Sequence, residues 1–465
     1  MNILELLKPG GKTAFIQGKK YITYTQLLDS GLCFGNRLRR EGIGMGNYVL
    51  VFIPLSIELY KVMIGAWSIG AVPIFIDFSR GVKFVNDSIE RLKPDVIVCD
   101  QGTRFVRFVY SKIRKIKMLN INNVSGKSAA MEKLNAKHPA ILTFTSGSTG
   151  IPKIAVRTHG FLINQYYALT AHLDFDEGHV DLGTLPVFAL ANLAANITTL
   201  LPDKSYTSKI NAKKLAARME KENVTRAICS PALMANLLKY SRLPDLKSAY
   251  LGGGPVYPGI LDKVRNDVDL YIVYGSTEAE PIASIRWKEV DAADRQKIAD
   301  GAGLLVGHVV PEVECKIGTD NEILVSGETV LKGYLDGVGD EENKIFDNDK
   351  IWHKTGDAGY IDSQARLWLL GRVSQAIHDT DGVLYPFCVE CILDAHFRIR
   401  GAVLVQNGRR IVVIEKGAAN PDEVLRILKP QKIACVVTVK KLPMDKRHGA
   451  KIDYERLKKK YFSKK

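Results

Sequence analysis

No stretch of the 465-residue chain is apolar for long enough to cross a bilayer. Its most hydrophobic run, 62–76, is interrupted by Gly65, Gly70 and Pro73, and predicts a helix, a turn and a buried strand. The first residues, Met1-Asn2-Ile3-Leu4-Glu5, lack the basic start and apolar stretch of a signal peptide. Cysteine is sparse too: seven in all, an odd number, which argues against a disulfide framework and for a reducing compartment. The Cys388-Val389-Glu390-Cys391 pair has no second pair nearby, so it predicts packed thiols at the start of a helix rather than a metal or redox centre. Zinc-finger spacing and RNA-binding signatures are also absent. The net charge of +15 therefore points away from nucleic acid and toward a basic cytoplasmic enzyme that handles anions.

What the chain does have is concentrated at Thr143-Phe144-Thr145-Ser146-Gly147-Ser148-Thr149-Gly150-Ile151-Pro152-Lys153. An apolar, β-prone lead (Ala140-Ile141-Leu142) enters a loop of glycines and hydroxyls, and an alternating pattern resumes from Lys153. Glycines let backbone N–H groups turn inward, hydroxyls add donors, and Lys153 supplies a mobile cation: the chemistry of a phosphate cradle. The Gly-Lys-Ser/Thr ending of a Walker loop is missing.

The stretch resembles the phosphate loop of the adenylate-forming superfamily of acyl-CoA synthetases, luciferases and peptide-synthetase adenylation domains. Further motifs of that superfamily follow in order. Gly252-Gly253-Gly254-Pro255, after a predicted strand at 248–251, resembles the loop bordering adenine. Tyr274-Gly275-Ser276-Thr277-Glu278 is similar to Y-G-x-T-E. There the resemblance implies an aromatic face for the base at Tyr274, an α-phosphate hydroxyl at Thr277 and a Mg²⁺-binding carboxylate at Glu278, a hard oxygen donor such as Mg²⁺ prefers. Thr355-Gly356-Asp357 implies a carboxylate for both ribose hydroxyls, and Leu370-Gly371-Arg372 an arginine near ribose and phosphate. Lys451, within Pro443-Met444-Asp445-Lys446-Arg447-His448-Gly449-Ala450-Lys451-Ile452, matches the catalytic lysine. Phe188 and Leu190 are the expected acyl-pocket residues, with Ala189 where many members carry histidine.

Strand patterns alternating with helical ones (a hairpin at 12–24, a helix over 25–40, strands at 48–52, 72–76 and 95–100) predict an α/β fold built on doubly wound parallel sheets. Residues 111–136 read as a polar surface connection, and 185–190 as the approach to a small-residue apolar helix. Short strands at 313–317, 322–325, 333–334 and 351–357 predict a small β-subdomain over about 300–370. The expected division is a large N-terminal adenylation domain, 1–372, and a small mobile α+β lid domain, 373–465, with strands at 411–414 and 434–439.

The implied reaction is ATP- and Mg²⁺-dependent conversion of a carboxylic acid, fatty or 3-hydroxy fatty, to an acyl-adenylate. Thr145 to Gly150 and Lys153 would hold phosphates, and Lys451 would stabilise developing charge. The second step is open. Ser374 stands where thioester-forming members carry Asp or Lys. The following segment, the Pro-x-Phe-Ala-Leu run and the 443–452 ending resemble the β-lactone synthetases of bacterial olefin biosynthesis, in which the acid's own hydroxyl displaces AMP. Transfer to CoA or to an acyl carrier protein is the alternative, and the positive charge would speed docking of an acidic carrier. A non-catalytic binding module is the reading from another class. The retained Glu278, Asp357 and Lys451 argue against it.

Overall fold

The computed structural model describes residues 2–122, 128, 130–145, 153–203, 210–444 and 451–462. Two large sheets carry the first 372 residues. One has six strands in the order Lys117–Asn120, Val96–Cys99, Tyr48–Phe52, Val72–Phe75, Pro139–Thr145, Lys153–Thr158. All neighbours in it are parallel except the last pair. Parallel strands are covered on both faces, which is why Tyr48–Phe52 reads as an unbroken apolar run: Val49 and Val51 enter one core cluster, Leu50 and Phe52 another.

Helices Tyr24–Arg40 and Ile57–Ser68 cross tightly on one face of this sheet. Thr23 and Gln26 form a capping box at the first helix. The close approach rests on glycine: a Cβ at Gly35 would lie 2.3 Å from Ser68 Oγ and 2.7 Å from the Gly65 carbonyl oxygen.

The second sheet runs through 14 strands among the described residues. Its parallel part is Thr13–Gln17, Thr198–Leu200, Val180–Gly183, Arg226–Cys229, Ser248–Leu251, Asp269–Ser276. Ala279–Arg286 then turns it antiparallel, and Leu304–Val309, Arg366–Arg372, Lys350–Ile361, Glu322–Gly327 and Val313–Ile317 continue it. The expected β-subdomain is thus hydrogen-bonded continuously to the parallel sheet. Residues 373–462 carry their own three-stranded sheet (Gly401–Gln406, Arg409–Glu415, Cys435–Val439), a small hairpin, and helices Pro386–Phe397, Pro421–Ile427 and Tyr454–Tyr461. No helix among the described residues is long and apolar enough to cross a membrane.

Three local expectations need correction. Part of 111–136 is the edge strand Lys117–Asn120, parallel to Val96–Cys99. The helix expected after 185–190 starts within that run, at Pro186, where a fixed φ and a missing N–H suit the first helical turn. Residues 333–334 form no strand: Tyr334 makes a single bridge to Ala155.

Candidate active site

The site forms where the large sheet changes from parallel to antiparallel. Strand Ser248–Leu251 ends in the glycine turn, and its neighbour Asp269–Ser276 ends in Thr277 and Glu278. Carboxyl ends of parallel strands are where open α/β sheets bind ligands. Gly252 lies against its neighbour so closely that a Cβ would come 2.7 Å from the Val273 carbonyl oxygen, and Gly253 has φ +71°. Side chains at these positions would cover the backbone that a flat ligand can lie on. Gly254 and Pro255 complete the turn. Gly275 and Ser276 end the strand, and Thr277 is exposed beyond it. The Ser276 hydroxyl accepts from the Glu278 N–H at 3.2 Å, fixing the turn.

Asp357 approaches from the antiparallel side, on Lys350–Ile361. The Tyr274 hydroxyl donates to its Oδ2 at 3.0 Å and Arg372 Nε lies 3.1 Å from Oδ1. Its backbone N–H donates to the Thr355 hydroxyl at 3.1 Å, and Thr355 donates to the Ile323 carbonyl at 2.8 Å. Burial raises the Asp357 pKa, while Arg372, the Tyr274 bond and the charge of Lys451 oppose the rise. The ring of Tyr274 is buried in the core, so the contact it displays is the one that orients Asp357. Arg372 is 46% exposed and also donates to the Thr355 carbonyl at 3.2 Å.

A second group surrounds Lys153, the first residue of strand Lys153–Thr158. Lys153 is 4% exposed and lies along Gly339, where a Cβ would come within 2.8 Å of its Cδ. Its amine sits 5.8 Å from the centroid of the Tyr334 ring, and the Tyr334 hydroxyl donates to Glu278 Oε1 at 3.2 Å. On the other strand of that region Lys344, also 4% exposed, donates to the Leu331 carbonyl and lies 5.7 Å from the Tyr334 centroid. Burial lowers the Lys153 pKa against the pull of Glu342 and Glu278. It brings Lys344 down to about 8 against Glu278 and Asp340. His353, paired with Lys344 across the ladder, is pushed down to about 4 by burial and by Lys344, and its Nδ1–H donates to the Asn343 carbonyl at 3.2 Å.

The structure thus brings the glycine turn, Tyr274, Thr277, Glu278, Asp357 and Arg372 of the large sheet together with Lys153 of the six-stranded sheet, with the exposed Lys451 near enough to act on the Asp357 charge. Ser146, Gly147, Ser148, Thr149 and Gly150 lie outside the described residues, and Thr145 is described as the last residue of its strand. Phe188 and Leu190 part company on their helix. Phe188 packs with Leu169, Leu173, Ile228, Tyr250 and Val273. Leu190 instead lines a small apolar cavity with Leu6, Leu162, Leu169 and Val187. Gln165, also in the cavity wall, donates to the Glu280 carbonyl at 3.2 Å and so ties the cavity to the Glu278 turn. Cys388 and Cys391 are buried helix thiols, with burial pushing Cys388 up to about 12. Among the described residues no group of three or more His, Cys, Asp or Glu could hold a metal by itself.

Sequence reading missed Tyr334, Lys344 and Thr355 as parts of this site. A lysine or tyrosine in a polar β-strand pattern reads as solvated, and nothing but the fold reveals that these are enclosed.

This fold and site define an adenylate-forming enzyme: residues 6–335 match the family of AMP-binding enzymes, and the chain belongs to it. Among its relatives, an olefin β-lactone synthetase from Xanthomonas campestris pv. campestris is 28% identical over 97% of this chain and 93% of its own length. One from Stenotrophomonas maltophilia is 27% identical over 94% of this chain and 90% of its own. The O-succinylbenzoate coenzyme A synthetase of Bacillus subtilis, solved with AMP, superposes over 100% of this chain and 97% of its own with a TM-score of 0.81 at 19% identity. The chain is an ATP-using ligase of the acyl-adenylate class.

Proposed function

We propose that the enzyme adenylates a 3-hydroxy fatty acid and that the acid's own hydroxyl then closes a β-lactone. The observation that carries this reading is the similarity to olefin β-lactone synthetases along nearly the whole chain. The Pro186-Val187-Phe188-Ala189-Leu190 run without histidine agrees with it.

In the first step a carboxylate oxygen attacks the α-phosphorus of ATP, the bond to the bridging oxygen breaks, and pyrophosphate leaves. The glycine turn at 252–255 receives the adenine, Asp357 accepts from both ribose hydroxyls with Arg372 beside it, and Thr277 donates to the α-phosphate. Lys153 and the 145–150 loop hold the outer phosphates. Glu278, aligned by Tyr334, would hold a Mg²⁺ ion, which would supply neutralising charge for the phosphates. A single carboxylate suffices for a cation that takes its other ligands from phosphate and water. Lys451 reaches the α-phosphate and acyl oxygens as charge develops there. In the second step the 3-hydroxyl oxygen attacks the acyl carbon, the bond to AMP breaks, the hydroxyl proton departs, and a four-membered ring results. The lid unit begins after Arg372, with the exposed Ser374 in the hinge position.

Mass spectrometry of products from ATP, Mg²⁺ and a racemic 3-hydroxy fatty acid tests this. The expected product is the acid less one water, formed without CoA. A thioester made only when CoA is added, with adenylate alone otherwise, would make the enzyme an acyl-CoA ligase.

A further inference from the structure

Glu390 lies in the second turn of helix Pro386–Phe397, is 8% exposed, and is held from two directions. The Tyr257 hydroxyl donates to its Oε2 at 2.5 Å and the Tyr454 hydroxyl donates to its Oε1 at 2.7 Å. Arg400 completes the cluster, its guanidinium 3.5 Å from the centroid of the Tyr257 ring. A carboxylate enclosed in this way is costly to bury, and an apolar residue of like volume would commonly hold a helix in place as well or better. What an apolar residue could not do is connect two hydroxyls with fixed geometry.

Both tyrosines follow closely in the chain on residues of the candidate nucleotide site. Tyr257 is two residues past Pro255, the end of the glycine turn, and precedes helix Pro258–Leu261. The same face is reinforced by the Gly259 N–H, which donates to Asp394, and by Arg398, 2.6 Å from Asp262. Tyr454 is three residues past Lys451. The residues between are fixed: Ile452 is buried among Leu442 and Leu457, and the Asp453 N–H donates to the Pro443 carbonyl at 2.9 Å. The Asp453 carboxylate caps the last helix at 2.9 Å from Arg456 N. Tyr454 and Lys451 thus belong to one short, anchored segment.

We propose that Glu390 is a positioning residue for adenylation: its carboxylate ties Tyr257, beside the glycine turn, to Tyr454, beside Lys451, and so sets the lysine against the nucleotide. The inference rests on the role of Lys451 given above. It goes beyond that role in making the placement of the lysine depend on one carboxylate shared between residues 257 and 454.

ATP–pyrophosphate exchange in the full-length enzyme tests it with Tyr454→Phe, Tyr257→Phe, Glu390→Ala and Glu390→Gln, beside Lys451→Ala. Each tyrosine variant should lower kcat about 5- to 10-fold with KM for ATP within about twofold, because nucleotide contacts are kept and only the lysine is loosened. Glu390→Gln, which can still accept from one hydroxyl, should recover part of the rate lost in Glu390→Ala. A fall in melting temperature with kcat unchanged, or a KM that rises in step with the lost rate, would overturn the proposal and leave Glu390 a structural residue. If Glu390→Ala does not fold, Tyr454→Phe, a change of one hydroxyl, decides the matter. Lys451→Ala separates the two readings. Full exchange in that variant refutes the role of the lysine, whereas loss there with normal rates in the tyrosine variants refutes the tether alone.

Discussion

Replacing Asp357 with Asn removes one charge and leaves the shape of the site unchanged, so its effect on nucleotide binding can be worked out in advance. The carboxylate already accepts from Tyr274 at 3.0 Å and faces Arg372 at 3.1 Å. Two ribose hydroxyls would add bonds to a charged acceptor, each worth about 1.5–3 kcal/mol against about 0.5–1.5 for a neutral one. The difference over two bonds is about 2–3 kcal/mol, or roughly 30- to 150-fold in ATP affinity. Folding should change far less. Arg372 is 46% exposed, so solvent screens its pair with Asp357 to about 0–1 kcal/mol, and losing the charge also relieves the burial that raises the Asp357 pKa. Titration calorimetry with ATP and a thermal melt of the same sample measure both effects. ATP affinity within about threefold of the parent protein, with the melt unchanged, would refute the ribose assignment.

Three further outcomes follow from other parts of the molecule. Gly35→Ala should cost about 1–3 kcal/mol, since the new Cβ meets the Gly65 carbonyl oxygen at 2.7 Å and backbone cannot yield cheaply; an unchanged urea midpoint would contradict the close helix crossing. His159 is enclosed, accepts from the Ile3 N–H at 3.2 Å, and is pushed down to about 3 by burial, so the folded chain refuses a proton that the unfolded chain takes below about 6.5. Stability should accordingly fall by about 2 kcal/mol from this group between pH 7 and pH 5, and His159→Asn should flatten that acid limb in urea titrations; parallel limbs would rule the group out. Lys451→Ala should abolish adenylate formation while leaving calorimetric ATP binding nearly intact, and turnover at the parent rate would remove the lysine from the mechanism.

The motifs were legible because most sit where a strand stops or its register shifts. A glycine turn, a Tyr-Gly-Ser-Thr-Glu strand end, and the Thr-Gly-Asp stretch within Lys350–Ile361, where Gly356 takes φ +70°, carry residue types that a regular element would not select. The edge strand Lys117–Asn120 escaped notice because it pairs on one side only, so its polar ends remove the apolar signature that buried strands show. Phe188 and Leu190 were placed in one pocket by the family resemblance, whereas the helix beginning at Pro186 turns them to opposite sides. The Lys344–His353 pair was hidden for another reason. The two face each other across the tight hairpin of Lys344–Asp347 and Lys350–Ile361, but their enclosure depends on Tyr334, which lies outside that hairpin. The Glu390 contacts to Tyr257 and Tyr454 span 133 and 64 residues, and no local pattern announces such a link.

The antiparallel pairing of Pro139–Thr145 with Lys153–Thr158 matches Thr145 to Lys153 and Phe144 to Ile154. Along the second strand Ala155 faces Tyr334 and Leu331, with Lys153 on the same side, while Ile154 enters the opposite core cluster. Side chains in a strand alternate with a period of two, so a slip of one residue would send Lys153 into the hydrocarbon layer and Ile154 toward Tyr334. The lysine's address is therefore a parity. It is written in the odd-and-even order of the ladder, and loop length between residues 145 and 153 can drift without erasing it so long as that order is kept.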